Sequence, residues 1–181
     1  MRRSAILDPE LPLFDAGPVA NPLRAFEPLA FEPVRGLPLL VLSCSASKAP
    51  TVAGEWRRLA DLYDGPLWQD VRRSGFPLTN VAALSALHGF VEPGRPLKTY
   101  DQMMDADTSR QFCRTSDHCA RLAKAIRTAG AGYIVGGKFY RAIGEAALDL
   151  FPDIRPLATF ATGSFLQLRG QLNRWLRQNA P

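Results

Sequence analysis

Histidine and cysteine are scarce in this chain, with two of the first and three of the second. The cysteines, Cys44, Cys113 and Cys119, are odd in number and lack the spacing of a disulfide framework, which predicts free thiols in a reducing, cytoplasmic compartment. Nor do they make a zinc site. Cys113 and Cys119 are six residues apart, His118 falls on a different helical face, and no second cysteine pair completes a shell. The expectation is a protein without metal or other cofactor. Long apolar runs are also missing, so no segment is expected to span a bilayer, and the first residues lack the apolar stretch of a secretory signal. Glycine is absent from the loop that follows the first apolar run, which excludes both a Walker loop and a dinucleotide fingerprint there.

That run is the most telling feature present. Leu37 to Leu42 is apolar apart from its small punctuation and stops in Ser43-Cys44-Ser45-Ala46-Ser47-Lys48. An apolar run of strand length ending in small polar residues reads as a central parallel strand that opens into a ligand-binding loop. Hydroxyls of Ser43, Ser45 and Ser47 and the backbone N–H groups suit an anion, Cys44 is a nucleophile, and Lys48 brings a mobile point charge. The plainer reading is a strand, a polar turn and a solvated lysine.

Residues 1–36 differ from the rest. They hold six of the 15 prolines, and four Arg against five Asp plus Glu give them −1, which leaves +6 of the net +5 on residues 37–181. The first segment is expected to be an extended Pro-rich arm and the second a single α/β domain. A basic body suggests an anionic partner such as nucleic acid, and no membrane. Within the arm, Glu10-Leu11-Pro12-Leu13-Phe14 resembles the short peptides that dock on the bacterial replication sliding clamp, with Leu11, Leu13 and Phe14 as anchors. Packing of those three side chains on the body is the alternative.

The body reads as strands alternating with helices. Trp56 to Leu62 is predicted helical, with Arg57, Arg58 and Asp61 on its polar side; Val81 to Ala86 is a second buried strand ending at Leu87-His88-Gly89. A helix capped by Asp107 or Thr108 runs to about Thr128, Tyr133-Ile134-Val135 is a third strand stopping at Gly136-Gly137-Lys138, and residues 140–149 are helical. Ile154 to Phe160 is a fourth strand, and Thr162-Gly163-Ser164 opens a last helix ending near Arg177. About four strands without a hairpin signal imply a mostly parallel sheet with helices on both faces. At about 100° per residue, Arg110, Arg114, His118, Arg121 and Lys124 fall within roughly 120° of arc on the long helix. Such a stripe is either a solvated face or a track for a phosphate backbone.

Taken in order, Ser43-Cys44-Ser45-x-Ser47-Lys48, Leu62-Tyr63 before Gly65-Pro66-Leu67, Leu84-Ser85-Ala86-Leu87-His88-Gly89, Tyr100-Asp101, Gly137-Lys138, Pro156-Leu157 and Gly163 resemble an uncharacterised bacterial and phage domain family over about residues 38–178. The Cys-Ser-x-x-Lys opening is similar to that of the peroxide-stress proteins and of the uracil-DNA-glycosylase-like domain attached to archaeosine synthases. What the resemblance implies is a uracil-DNA-glycosylase-like fold and a link to nucleobase or nucleic-acid chemistry, with N-glycosidic cleavage as the nearest chemistry; the expected substrate is DNA, ahead of RNA or a free nucleotide, in repair or phage defence. That chemistry calls for a carboxylate near the sugar and a donor near the departing base. Asp101 is the candidate carboxylate, His88 the donor, and Lys48 a phosphate holder or amine nucleophile. Tyr63, Trp68 and Tyr100 are candidates for stacking on an extruded base, while Lys138 and Gly163 complete the binding set. Two other readings stand beside it: an enzyme using Cys44 activated by His88, and a non-catalytic nucleic-acid-binding module.

Overall fold

The computed structural model of the chain describes residues 33–34, 36–50 and 55–181. Its organising strand is β1, Leu39–Ser43, in which Leu39 to Leu42 are fully buried. A strand with no wet face needs helices on both sides, and alternation along the strand assigns its residues to two layers. Leu40 and Leu42 face one layer with Val81 and Ala83 of β3 (Val81–Ser85) and Val135 of β6 (Gly132–Val135). There they meet Trp68 and Val71 of α2 (Pro66–Ser74) and Leu168, Leu172 and Leu176 of α6 (Phe165–Asn179). Leu39 and Val41 face the other layer, against Cys119, Leu122 and Ile126 of α4 (Ser116–Ala129) and Ile143 and Ala147 of α5 (Lys138–Leu150). The buried Asp70 carboxylate pins α2 to α6 by accepting Arg169 Nε at 2.6 Å, Arg169 Nη2 at 2.9 Å and Asn173 Nδ2 at 3.1 Å.

The sheet has five strands in the order β4-β3-β1-β6-β7, where β4 is Gly89–Val91 and β7 is Ala158–Phe160. Pairing of β1 with β3 and β6, and of β6 with β7, is parallel. The expected α/β class with a mostly parallel sheet therefore holds. The expectation of four strands without a hairpin does not, because β4 folds back antiparallel on β3, pairing Ser85 with Gly89. Gly89 makes the reversal with φ +62°, a left-handed backbone that only glycine adopts without strain. The chain leaves β1 toward β3 on one side and leaves β6 toward β7 on the other. The carboxyl ends of β1 and β6 thus flank the topological switch point, where sheets of this kind leave a crevice.

Three other local expectations are corrected. The predicted helix from Trp56 begins as a strand, β2 (Trp56–Arg58), pairing antiparallel with β5 (Pro96–Lys98), and only α1 (Leu59–Leu62) is helical. The predicted long helix is two: α3, Ala106–Arg114, capped by the Asp105 carboxylate on Thr108 N–H at 2.8 Å, and α4. They part at Thr115, which has extended ψ of 100°. Pro152 and Pro156 turn Pro152–Leu157 into a 3₁₀ segment, so the fourth predicted strand shrinks to β7. Asn80, fully buried, accepts from Val34 N–H at 2.8 Å and donates to Leu37 O at 3.1 Å, which ties down the approach to β1. The proposed clamp anchors Leu11, Leu13 and Phe14, like most of the Pro-rich arm, lie outside the described residues. Among the described residues no helix is long and apolar enough to cross a membrane.

Candidate functional site

At the carboxyl end of β1 the loop turns and is zipped against the end of α1: Ala49 N–H donates to Leu62 O at 2.8 Å and Asp64 N–H to Ser47 O at 2.9 Å. This sets the Lys48 ammonium 4.5 Å from the centre of the Tyr100 ring, with a hydrogen bond to Ser45 O at 3.3 Å. Ser45 packs so tightly on the turn before α2 that a Cβ on Gly65 would lie 2.2 Å from its Oγ. On the next strand, Ser85 is fully buried and accepts from Leu87 N–H at 3.1 Å and His88 N–H at 3.0 Å.

Those two bonds fix the direction of a hydroxyl chain. A serine oxygen has two lone pairs and one proton, so Ser85, with both lone pairs engaged, donates to Tyr100 Oη at 2.8 Å. Tyr100 Oη in turn lies 2.6 Å from Tyr63 Oη. Three hydroxyl protons serve two oxygen–oxygen contacts in this chain, and one phenol proton is left over. The phenols keep their protons at neutral pH: burial pushes Tyr63 up to about 12. Tyr100 is raised by burial and then by Tyr63 and Cys44. Tyr140, hydrogen-bonded to Cys44 Sγ at 3.1 Å, is raised by burial and then by that thiol. Cys44, half-buried at the switch point, is therefore the common neighbour of three protonated phenols.

His88 sets its ring edge-on to Tyr100 at 5.3 Å, and burial, helped by the Arg95 cation, lowers its pKa, so its imidazole is neutral near pH 7. No hydrogen bond joins it to Cys44 among the described contacts. Asp101 follows Tyr100 directly, is exposed and forms no hydrogen bond or ion pair among the described residues. Trp68 is 1% exposed and donates Nε1–H to Ser43 O at 3.0 Å, while its ring lies 5.1 Å from that of the fully buried Tyr63. Both are walls of the site and not open stacking surfaces. Ser47 is exposed at the loop's tip. Lys138 opens α5, its ammonium 4.7 Å from the Phe139 ring, and Gly163, with φ +107°, precedes α6. Both lie at the carboxyl edge by topology, although no hydrogen bond of either reaches the tyrosine chain. The predicted Cys44, Lys48, His88, Tyr63 and Tyr100 do come together, and Ser85 and Tyr140 join them without having been singled out from the sequence.

The basic stripe dissolves. The break at Thr115 means that one helical wheel does not describe α3 and α4, and the cations are differently placed. Arg110 pairs with Asp107, and Arg121 grips Glu92 through Nε at 2.6 Å and Nη2 at 2.5 Å while donating to Phe90 O at 3.0 Å. Arg114 and Lys124 alone among the four are exposed without a partner among the described residues. Nor does any group of three metal-ligating side chains occur among the described residues. His118 instead packs its ring against Gly89 and edge-on to Phe112 at 5.0 Å, and its Nδ1 is buried without a hydrogen-bond partner among the described residues. Burial, then the Arg121 cation, lowers its pKa, with Asp117 and Glu92 opposing and Arg95 adding to the fall. A histidine with a depressed folded pKa takes up its proton first in the unfolded chain, so stability falls as pH drops below about 6.5. The melting temperature should decline between about pH 7 and pH 5, and His118→Leu should flatten part of that decline; an unchanged slope would assign it to His88.

Compared with known proteins, the chain matches no family model, no curated protein and no solved structure.

Proposed function

We propose that the chain is a base-processing enzyme of the cytoplasm that hydrolyses an N-glycosidic bond in DNA, with a uracil-DNA-glycosylase-like disposition of groups. The observation that carries this reading is the Ser85–Tyr100–Tyr63 chain, which holds one more hydroxyl proton than it has oxygen–oxygen contacts. When the bond from C1′ to the base nitrogen breaks, its electron pair leaves with the base and positive charge builds on the sugar. Water adds to C1′, and its proton is lost to a carboxylate. The spare phenol proton and the neutral His88 imidazole are the donors for the charge on the departing base, the Lys48 ammonium favours the same charge, and Asp101 serves the sugar and the water. Fixed donors in a dry recess need no reorganisation during the reaction, which gives buried hydroxyls an advantage over solvent. A thiol enzyme is less well served, since Cys44 is bonded to Tyr140 and not to a base.

The test is incubation with single-stranded and duplex oligonucleotides carrying uracil, hypoxanthine, alkylated or hypermodified bases, with detection of abasic products. Asp101→Asn is expected to lower turnover by at least about a hundredfold and to spare binding. Cys44→Ser is expected to leave turnover within a few-fold. Loss on Cys44→Ser with an active Asp101→Asn variant would replace this reading by the thiol enzyme, and no product from any substrate would leave the binding module.

A further inference from the structure

Two glycines lie inside helices among the described residues, and only one has a reason within the fold. A Cβ on Gly144 of α5 would lie 2.7 Å from the Phe160 ring and 3.0 Å from Ile134, so its missing side chain lets α5 close on the sheet. A Cβ on Gly170 of α6 would meet nothing within 4 Å. Glycine is the poorest helix former after proline, and at this exposed position the molecule gains no contact in return. At about 100° per residue, Leu166, Gly170, Arg174 and Arg177 fall within about 80° of arc, on the side of α6 opposite the buried Leu168, Leu172 and Leu176. All four are exposed, Leu166 by 78%. α6 contains no acid, and Arg174 and Arg177 have no hydrogen bond or ion pair among the described residues. Arg169 is committed to Asp70. Arg73 of α2 shares a hollow of about 320 Å³ with Arg177; it reaches Gln69 at 3.4 Å and, at 3.9 Å, the Asp70 carboxylate that Arg169 and Asn173 already hold.

We propose that the outward ridge of α6 is a docking face for the phosphate backbone of double-stranded DNA, with Gly170 admitting the backbone against the helix and Arg174, Arg177 and Arg73 neutralising phosphates. The charge selects the occupant. A helix with three arginines and no acid repels a second copy of itself, and Leu166 is the ridge's one apolar side chain, so a protein partner would find little to bury. A duplex needs no apolar area, only cations set along its phosphates. A single strand is held by rings on which its bases stack, and this ridge carries none. The ridge also leads toward the site. α6 begins two residues after Gly163, at the carboxyl edge of the sheet where β1 and β6 end, so a duplex lying along it passes the edge that carries Cys44 and Lys48. That the polyanion is DNA rests on the function proposed above, and the experiment separates the two.

The experiment uses the full chain and a fluorescein-labelled duplex of ordinary bases, followed by anisotropy at several salt concentrations beside a single strand of the same length. Arg174→Ala with Arg177→Ala is expected to raise Kd about tenfold or more and to reduce the salt slope by roughly 1.8, two duplex phosphate contacts' worth. Gly170→Gln separates binding from folding: it should raise the melting temperature by about 2–4 °C, because glutamine is the better helix former, and yet raise Kd several-fold by holding the duplex off the helix. Duplex affinity unchanged by the two arginine substitutions or by Gly170→Gln, or a single strand bound more tightly than the duplex, would overturn the proposal. So would a dimer in sedimentation that Gly170→Gln dissociates, which would give the ridge to a second copy. Ridge-dependent duplex binding without any abasic product would leave the face standing and remove only the glycosidase reading.

Discussion

Replacing Gly89 with alanine should lower the melting temperature by about 6–15 °C. Two independent costs meet at this residue. Its φ of +62° lies in the left-handed region, where a side chain costs about 1–2 kcal/mol. A Cβ there would also lie 2.6 Å from His118 Nδ1 and 2.7 Å from Cε1 and Cγ. The imidazole has no easy retreat, because its other neighbour is the Phe112 ring at 5.0 Å, and overpacking of this kind costs about 1–3 kcal/mol. Gly94 supplies the control: its φ is +75°, yet nothing lies within 4 Å of a Cβ built on it. Gly94→Ala should therefore show only the backbone cost, and His118→Ala combined with Gly89→Ala should recover the steric part. Equal melting temperatures for the two single alanine variants would show that the His118 contact relaxes freely.

This hairpin also marks where sequence reasoning stops. Strands β1, β3 and β6 were legible because Leu39 to Leu42, Val81 to Ala83 and Tyr133 to Val135 are apolar on both faces, which few structures other than a covered parallel strand tolerate. β2 and β4 have three residues each, too short for any period to declare itself, and β2 is defined by a partner far along the chain. Trp56-Arg57-Arg58-Leu59 fits a helical spacing as well as an alternating one; pairing with Pro96–Lys98 decides it. The break between α3 and α4 did leave a signal, since Thr115-Ser116-Asp117 is a cluster of short oxygen-bearing side chains of the kind that starts helices. Thr115 Oγ1 bonds back to Gln111 O at 2.9 Å, closing α3 without glycine or proline.

The site was half legible for a related reason. Loops that follow buried strands are exposed to ligands by topology, so Cys44, Lys48 and His88 could be found one strand at a time. Tyr140 could not, because its role depends on the first turn of α5 carrying it back toward β1, where its hydroxyl meets Cys44. Arg121 illustrates the converse. Its partner Glu92 is 29 residues away in sequence, and a charge that looks solvated on a helical wheel is committed to an ion pair across the fold. Ser85 lay inside the Leu84 to Gly89 segment, yet as a small residue at a strand end it carried no signal of being a hub. Only the count of its lone pairs against Leu87 N–H, His88 N–H and Tyr100 reveals that.

Ser85→Ala is expected to have the largest effect on function and one of the larger effects on stability. The substitution removes one oxygen but leaves two backbone N–H groups without their acceptor and Tyr100 without its donor, in a place with no solvent to replace it. At about 1–3 kcal/mol for each group left unsatisfied, partly relieved by local relaxation, the loss should be about 2–4 kcal/mol, read from denaturant unfolding with an unchanged m-value. Turnover should fall about 10²–10³-fold with KM little altered, because the donor direction matters chiefly when charge develops on the departing base. Tyr100→Phe should reproduce the loss of turnover with a smaller loss of stability, since the two N–H groups keep their acceptor. The double variant should be no slower than either single one, because a chain cut at one link is not cut further at the next. A Ser85→Ala protein that melts lower yet excises its base at the original rate would reduce the hydroxyl chain to a brace for the Leu87–His88 turn, and the donor would then have to be His88 alone.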